Sequence, residues 1–190
     1  MQTGFIYFTL FVVLSQTLLK CAANENDKVV RPKAKIDSKC LDLLLNTNKT
    51  QLERCEFFKC FEERFPCGTK YWVINWGYKY CRRYANKQFI DKFTPEGKQM
   101  LTHLNKCLPS KLEKHYKSKR PLRCQNLSDN MFDVQAKCYE EILPTFCKAF
   151  PSNKNLLMNI MDQSDMMNMN SFSMIKKLGD KCDPKLDFYN

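Results

Sequence analysis

The chain has 190 residues, a formal net charge of +11 and an apolar fraction of 44%, enough for one packed core. Five glycines and eight prolines are too few for a turn-rich all-β framework, which leaves helices as the default. No glycine-rich phosphate loop, nucleophile elbow or aspartate-rich calcium loop occurs, and the excess of base over acid points to anionic partners such as sulfated glycans or membrane surfaces without selecting one.

Phe5 to Leu19 is an apolar run broken only by Tyr7, Thr9 and Ser15-Gln16-Thr17. Cys21-Ala22-Ala23 follows, with small side chains where a signal peptidase reads, so residues 1–23 read as a signal peptide cleaved after Ala23. The run is shorter than the about 20 residues that a membrane span needs. Cleavage leaves 167 of the 190 residues, and because Cys21 and Lys20 depart, ten of eleven cysteines and a balance of 30 basic to 20 acidic side chains remain. Ten cysteines in a secreted, extracellular chain read as five disulfides, which reinforce a core of this size rather than replace it.

Residues 24–37 are polar, charged and interrupted by Pro32, with no apolar period to bury, and read as a disordered N-terminal arm. The expected fold class is all-α: a single disulfide-bonded helical domain of five or more helices over residues 38–184, followed by a short tail over 185–190. Leu41, Leu44 and Leu45 mark one helix face, and Thr50-Gln51-Leu52-Glu53 is a capping box opening a second helix. Cys55 and Cys60 lie on that second helix. At about 100° per residue they point roughly 140° apart, so they bond to two different elements rather than to each other.

Phe65-Pro66-Cys67-Gly68 ends this helix, and Trp72, Trp76, Tyr80 and Tyr84 then repeat at a spacing of four. The ladder reads as a core-facing helix stripe, with a ligand-binding strip as the alternative. Thr94-Pro95-Glu96 is a helix start with Met100, Leu101, Leu104, Cys107 and Leu108 on its apolar face, and Pro109 is expected to stop it. Ser110 to Glu113 is a further capping box. Phe132, Gln135, Ala136, Tyr139, Ile142 and Leu143 trace a helix from about Ser128 to Pro144. Asn153 to Asn170, with Met158, Met161, Met166, Met167 and Met169 among Asn, Asp and Ser, reads as a biased loop flanked by short helices, and a last helix is expected over Ser173 to Leu178, closed by Gly179.

The chemistry that the residues allow is narrow. Only His103 and His115 are available as residue types for near-neutral acid-base work, and two histidines with lysines in a basic secreted chain leave a small ribonuclease-type hydrolase as the weakest alternative. No catalytic residue, metal ligand or cofactor is assigned, since pairing the cysteines leaves only the two histidines as good zinc ligands. The charged feature is Lys111 to Arg123, where Lys111, Lys114, Lys117, Lys119, Arg120 and Arg123 face Glu113 alone. They form a candidate anion-binding patch for a heparin-like glycan, or a solvated helix face. Asn48-Lys49-Thr50 and Asn126-Leu127-Ser128 place N-glycosylation acceptors at Asn48 and Asn126.

The cysteine order and its surroundings resemble the stanniocalcin family of secreted glycoprotein hormones, over roughly Lys39 to Cys182. The most specific match is FTPEGKQMLTHLNKC, Phe93 to Cys107, where the family also shows Phe, three residues, Gly-Lys, eight residues and Cys. Cys55 and Cys60 keep its four-residue gap, Cys124 and Cys138 its thirteen-residue gap, Val134-Gln135 leads into Cys138-Tyr139 as in family members, and Cys40-Leu41 resembles its first cysteine. The resemblance implies a non-catalytic, hormone-like ligand acting through a receptor, protease or other extracellular protein. The family's roles lie in calcium and phosphate homeostasis and, in vertebrate members, inhibition of a secreted metalloproteinase. It also implies the pairs Cys40 with Cys60, Cys55 with Cys81, Cys67 with Cys124, Cys107 with Cys138 and Cys147 with Cys182.

The chain departs from the family in a longer gap from Cys67 to Cys81, in its glycosylation positions and in the missing acidic or His-rich tail. No cysteine follows Cys182, where stanniocalcins carry the one that links a homodimer, so no disulfide-linked dimer is expected and a weak non-covalent one stays open. Neither nucleic acid nor membrane insertion is expected. A glycosaminoglycan-binding secreted helical module is the second reading.

Overall fold

The computed structural model describes residues 27–166 and 169–182. The signal-peptide and tail assignments lie outside those residues. The described residues form an all-α domain whose sole sheet is a two-residue ribbon.

Helix α1 (Ser38–Leu45) is capped by Asp37, whose carboxylate accepts the Lys39 N–H at 2.8 Å, and it turns Leu41, Leu43 and Leu44 toward the core while Leu45 stays exposed. Thr50 opens α2 (Gln51–Cys55) with the capping box expected of it: its hydroxyl accepts the Glu53 N–H and Glu53 Oε2 accepts the Thr50 N–H at 2.8 Å. The helix tightens at Glu56 before α3 (Phe57–Arg64), which buries Phe57, Phe58 and Phe61. Cys55 and Cys60 therefore fall on two consecutive helical segments and serve two different neighbours.

The aromatic ladder runs through a π-helix (Val73–Tyr78) into α4 (Lys79–Ala85). A spacing of four overshoots an α-helical turn of about 3.6 residues and undershoots the wider i→i+5 turn, so drift in one segment offsets drift in the other. Trp72, Trp76 and Tyr80 consequently stay buried on one side. Gly77 makes the wide turn fit: a Cβ there would stand 2.7 Å from both Phe58 Cε1 and Trp72 Cζ3. A short α5 (Lys87–Ile90) follows.

Thr94 caps α6 (Pro95–Lys117), its hydroxyl accepting the Gly97 N–H at 3.1 Å with Pro95 in the first turn. The expectation that Pro109 stops this helix is wrong, and Ser110 to Glu113 lies inside the helix rather than opening one. Leu112 and Tyr116, 0% and 1% exposed, hold the second half in the core, and the Ser110 hydroxyl donates to the Cys107 carbonyl at 2.7 Å beside the N–H that proline lacks.

Helix α7 (Cys124–Glu140) begins before Ser128 and ends before Pro144, which instead sits in the first turn of α8 (Leu143–Ile160), where its missing N–H costs nothing. Helix α8 also takes the first part of the stretch read as a loop. Asn153 there is a buried clamp: its amide oxygen accepts the Thr94 N–H at 3.0 Å, and its nitrogen donates to Thr94 Oγ1 and the Ala149 carbonyl. After a short α9 (Gln163–Met166), α10 (Met169–Gly179) starts earlier than Ser173 and lies on α7.

From Asp27 onward the segment read as a disordered arm is held on the domain. Strand β1 (Val29–Val30) pairs antiparallel with β2 (Leu122–Arg123), Val30 is buried, and the Lys28 ammonium donates to the Pro66 and Cys67 carbonyls at 2.7 Å. Two valines and one lysine thus find partners that the segment's polar composition hides.

Five disulfides join the elements: Cys40 to Cys60, Cys55 to Cys81, Cys67 to Cys124, Cys107 to Cys138 and Cys147 to Cys182, with Cα separations of 5.5 to 6.0 Å. They cross two hydrophobic clusters, one on α1–α4 with parts of α6 and α7, the other on α6–α8 and α10. Among the described residues no helix is long and apolar enough to cross a membrane.

Candidate functional site

The six basic residues singled out in the sequence lie along the C-terminal half of α6, the turn after it and β2. The helix brings Lys111 and Lys114 onto one cleft wall because they are three residues apart, and its C-terminal carbonyls favour cations in the last turn. The facing wall is α7. The cleft encloses about 750 Å³ and is lined by Lys111, Lys114, Lys117 and Lys137 against Glu113 and Asp133. Leu127, Met131 and Val134 form its apolar floor.

Two of the six cations have internal partners. Lys111 Nζ lies 2.7 Å from Glu141 Oε1, and Lys117 Nζ 2.6 Å from Glu113 Oε1. The Lys111 hydrogen bond is the main reason that the Glu141 carboxyl stays below its ordinary range. Lys114, Lys119, Arg120 and Arg123 are exposed and form no ion pair among the described residues. His115 adds no charge at neutral pH, because burial and then the neighbouring Lys114 lower its pKa. Sequence reasoning missed Lys137 and Asp133, which lie four residues apart on one side of α7 and join the cleft only through the packing of α7 on α6.

His103 and His115 stand twelve residues apart on α6, roughly 18 Å along the helix, too far to share one phosphate. His103 Nε2 instead lies 3.3 Å from Glu141 Oε2. Cys107 is near both, but its sulfur is bonded to Cys138, so this trio offers no thiolate to a metal.

The glycosylation acceptors differ in setting. Asn48 is exposed in the turn between α1 and α2, whereas Asn126 is exposed in the first turn of α7, and its sequon hydroxyl, Ser128 Oγ, is buried, donating to the Cys124 carbonyl and accepting the Trp72 N–H. The aromatic ladder contributes mainly to the core, and Trp76, Tyr80 and Tyr84 also border a separate cavity.

These features define a disulfide-framed helical domain with a basic cleft at one helix end. No protein-family model, curated protein or solved structure matches the chain.

Proposed function

We propose that the protein is a secreted, hormone-like ligand of stanniocalcin-like design that acts by binding an extracellular or cell-surface protein rather than by catalysis. The observation that carries this reading is the frame: five disulfides join α1 to α3, α2 to α4, the Cys67 loop and α6 to α7, and α8 to the end of α10, and such bonds persist in oxidising compartments. The pairs are those that the resemblance implied, and calcium and phosphate handling are therefore the physiological readouts to follow. Labelled, oxidised mature protein titrated onto intact cells should bind saturably and be displaced by unlabelled native protein but not by its reduced and alkylated form. Linear binding that neither form displaces would overturn the reading.

The basic cleft favours a second, compatible reading, a glycosaminoglycan contact. Replacing Lys114, Lys117 and Lys137, which line the cleft, by Ser should lower the salt needed to elute the protein from heparin, because fewer counterions are released when fewer contacts form. Replacing Lys87, Lys92 and Lys148, exposed elsewhere, removes the same charge. Equal shifts for both triples would reduce the cleft to a share of the net charge.

A further inference from the structure

The fold brings a second basic segment against the turn that follows α6. Strand β1 pairs with β2 in the register Val29 with Arg123 and Val30 with Leu122. Beyond the ribbon the buried Arg64 ties the two segments together: its guanidinium donates to the carbonyls of both Ala34 and Ser118, and its own carbonyl accepts the Lys33 N–H at 2.8 Å. A single guanidinium reaches only a short distance, so residues 31–35 run beside residues 118–123 although the two are far apart in sequence.

This seam carries Arg31, Lys33 and Lys35 on one segment and Lys119, Arg120 and Arg123 on the other, all exposed, and neither stretch contains an acidic residue. None of the six forms an ion pair among the described residues. The flanking carboxylates are engaged otherwise, Asp27 by the Gln125 N–H at the start of α7 and Asp37 by the Lys39 N–H at the start of α1. Elsewhere Lys79, Arg83, Lys111 and Lys181 each meet a carboxylate. Like charges held together without an internal counter-charge repel one another, and an external polyanion relieves that repulsion. Pro32 and Pro121, each directly after an arginine, fix one backbone torsion in each segment, which leaves less freedom to lose on binding.

We propose that the seam between the N-terminal arm and the turn after α6 is the principal contact for a linear sulfated glycan. The proposal rests on the second reading above, a glycosaminoglycan contact, and moves the weight of that contact from the cleft to a surface that exists only because the arm is docked. A sulfated glycan is favoured over an anionic bilayer because a secreted chain meets the outside of cells, whereas anionic lipids charge the cytoplasmic leaflet.

The test uses the oxidised protein, a heparin-derived octasaccharide and its desulfated form. Replacing Arg31, Lys33 and Lys35 by Ser spares the backbone bonds that hold the arm and should weaken octasaccharide binding roughly tenfold, the order of three exposed charge contacts. Binding should also become less sensitive to salt. Replacing Lys119, Arg120 and Arg123 should act alike, and the control triple of Lys87, Lys92 and Lys148 should have a clearly smaller effect. On the unaltered protein, bound octasaccharide should shield Lys33, Lys35 and Lys119 from acetylation and leave Lys87 and Lys148 reactive, while the desulfated form shields none of them. An arm triple that costs no more than the control, or shielding of Lys114 and Lys137 without Lys33 and Lys35, would overturn the seam and leave the cleft reading standing. Equal effects of the arm, cleft and control triples would overturn both. Binding to phosphatidylserine vesicles that the octasaccharide fails to displace would assign the seam to a membrane surface instead.

Discussion

The first hydrophobic cluster, around Phe57, Phe58, Phe61, Phe65, Trp72 and Tyr116, and the second, around Met100, Leu101, Leu104, Phe146, Leu157 and Leu178, are held by different means. Three disulfides enter the first, and two buried guanidinium groups knot it. Arg64 donates to the carbonyls of Tyr116, Ala34 and Ser118, and Arg54 to those of Leu43, Leu44 and Asn46 at the end of α1. Its rings pack at specific angles, as in the edge contact of Phe57 with Tyr116 at 5.3 Å. The second cluster has two disulfides, more aliphatic and Met contacts and the Asn153 clamp, and the cavity lies between the two clusters, with Phe58, Trp76 and Tyr80 of the first on its wall. A cluster tied by directional bonds resists repacking, whereas one built on aliphatic helix faces accepts volume-conserving exchanges more readily.

The contrast is broken most directly at the disulfides. Replacing Cys67 and Cys124 by Ala removes a link across 57 residues and should cost about 4 kcal/mol, while the same change at Cys147 and Cys182, 35 residues apart, should cost slightly less. The sharper expectation is spatial. Loss of Cys67–Cys124 should flatten the near-ultraviolet dichroism of Trp72 and Trp76, and loss of Cys147–Cys182 should leave it while hydrogen exchange quickens in α8 and α10. If both losses erase the tryptophan signal, the two clusters fold as one unit.

Single side chains sharpen the comparison further. Arg64→Ala leaves three carbonyls without a charged donor and should lower the unfolding free energy by about 4 kcal/mol. Asn153→Ala, which removes a neutral clamp from α8, should cost about 2 kcal/mol. Denaturant titration with the disulfides intact measures both, and a smaller loss at Arg64 than at Asn153 would reverse the proposed hierarchy.

Local signals were legible in both clusters: the Thr50 capping box and the ladder from Trp72 in the first, the Thr94-Pro95 start in the second, and local signals survive packing. Pro109, Pro144 and Asn153 misled because each acts through tertiary context: Leu112 and Tyr116 anchor α6 past the proline, Pro144 starts a helix instead of ending one, and Asn153 finds Thr94 across 59 residues. The basic stretch was visible as charge, but its facing wall was not, because Asp133 and Lys137 join it only when α7 packs on α6. The pairing of the cysteines was not readable from spacing at all beyond the separation of Cys55 from Cys60. The cavity left no linear trace, since Gln135 and Ser171 meet it from two helices.

The smallest expected effect concerns the strap that closes the second cluster against α4. Lys79 reaches Asp162 at 3.0 Å and Asp165 at 2.5 Å, Arg83 reaches Asp162 at 2.6 Å, and the Tyr80 hydroxyl bonds Asp165. Hydrogen bonds from Arg83 and then Lys79 hold the Asp162 carboxyl below its ordinary value of 3.8. Burial disfavours the charge on Lys79, yet its bonds to Asp165 and Asp162 outweigh that and keep its pKa above 10.5. The depressed Asp162 therefore contributes stability that is full above the unfolded-state value and is lost as pH falls through the folded one; the raised Lys79 contributes stability that is full below 10.5 and is lost as pH climbs above it. Between these limits the strap should be independent of pH. Asp162→Asn should remove the acid-side part of the slope below pH 4 and leave the alkaline side in place, because Asp165 still holds Lys79. Because Asp162 is largely exposed, raising the salt should shrink the effect, and a slope below pH 4 that survives Asp162→Asn would assign the acid sensitivity to another carboxyl.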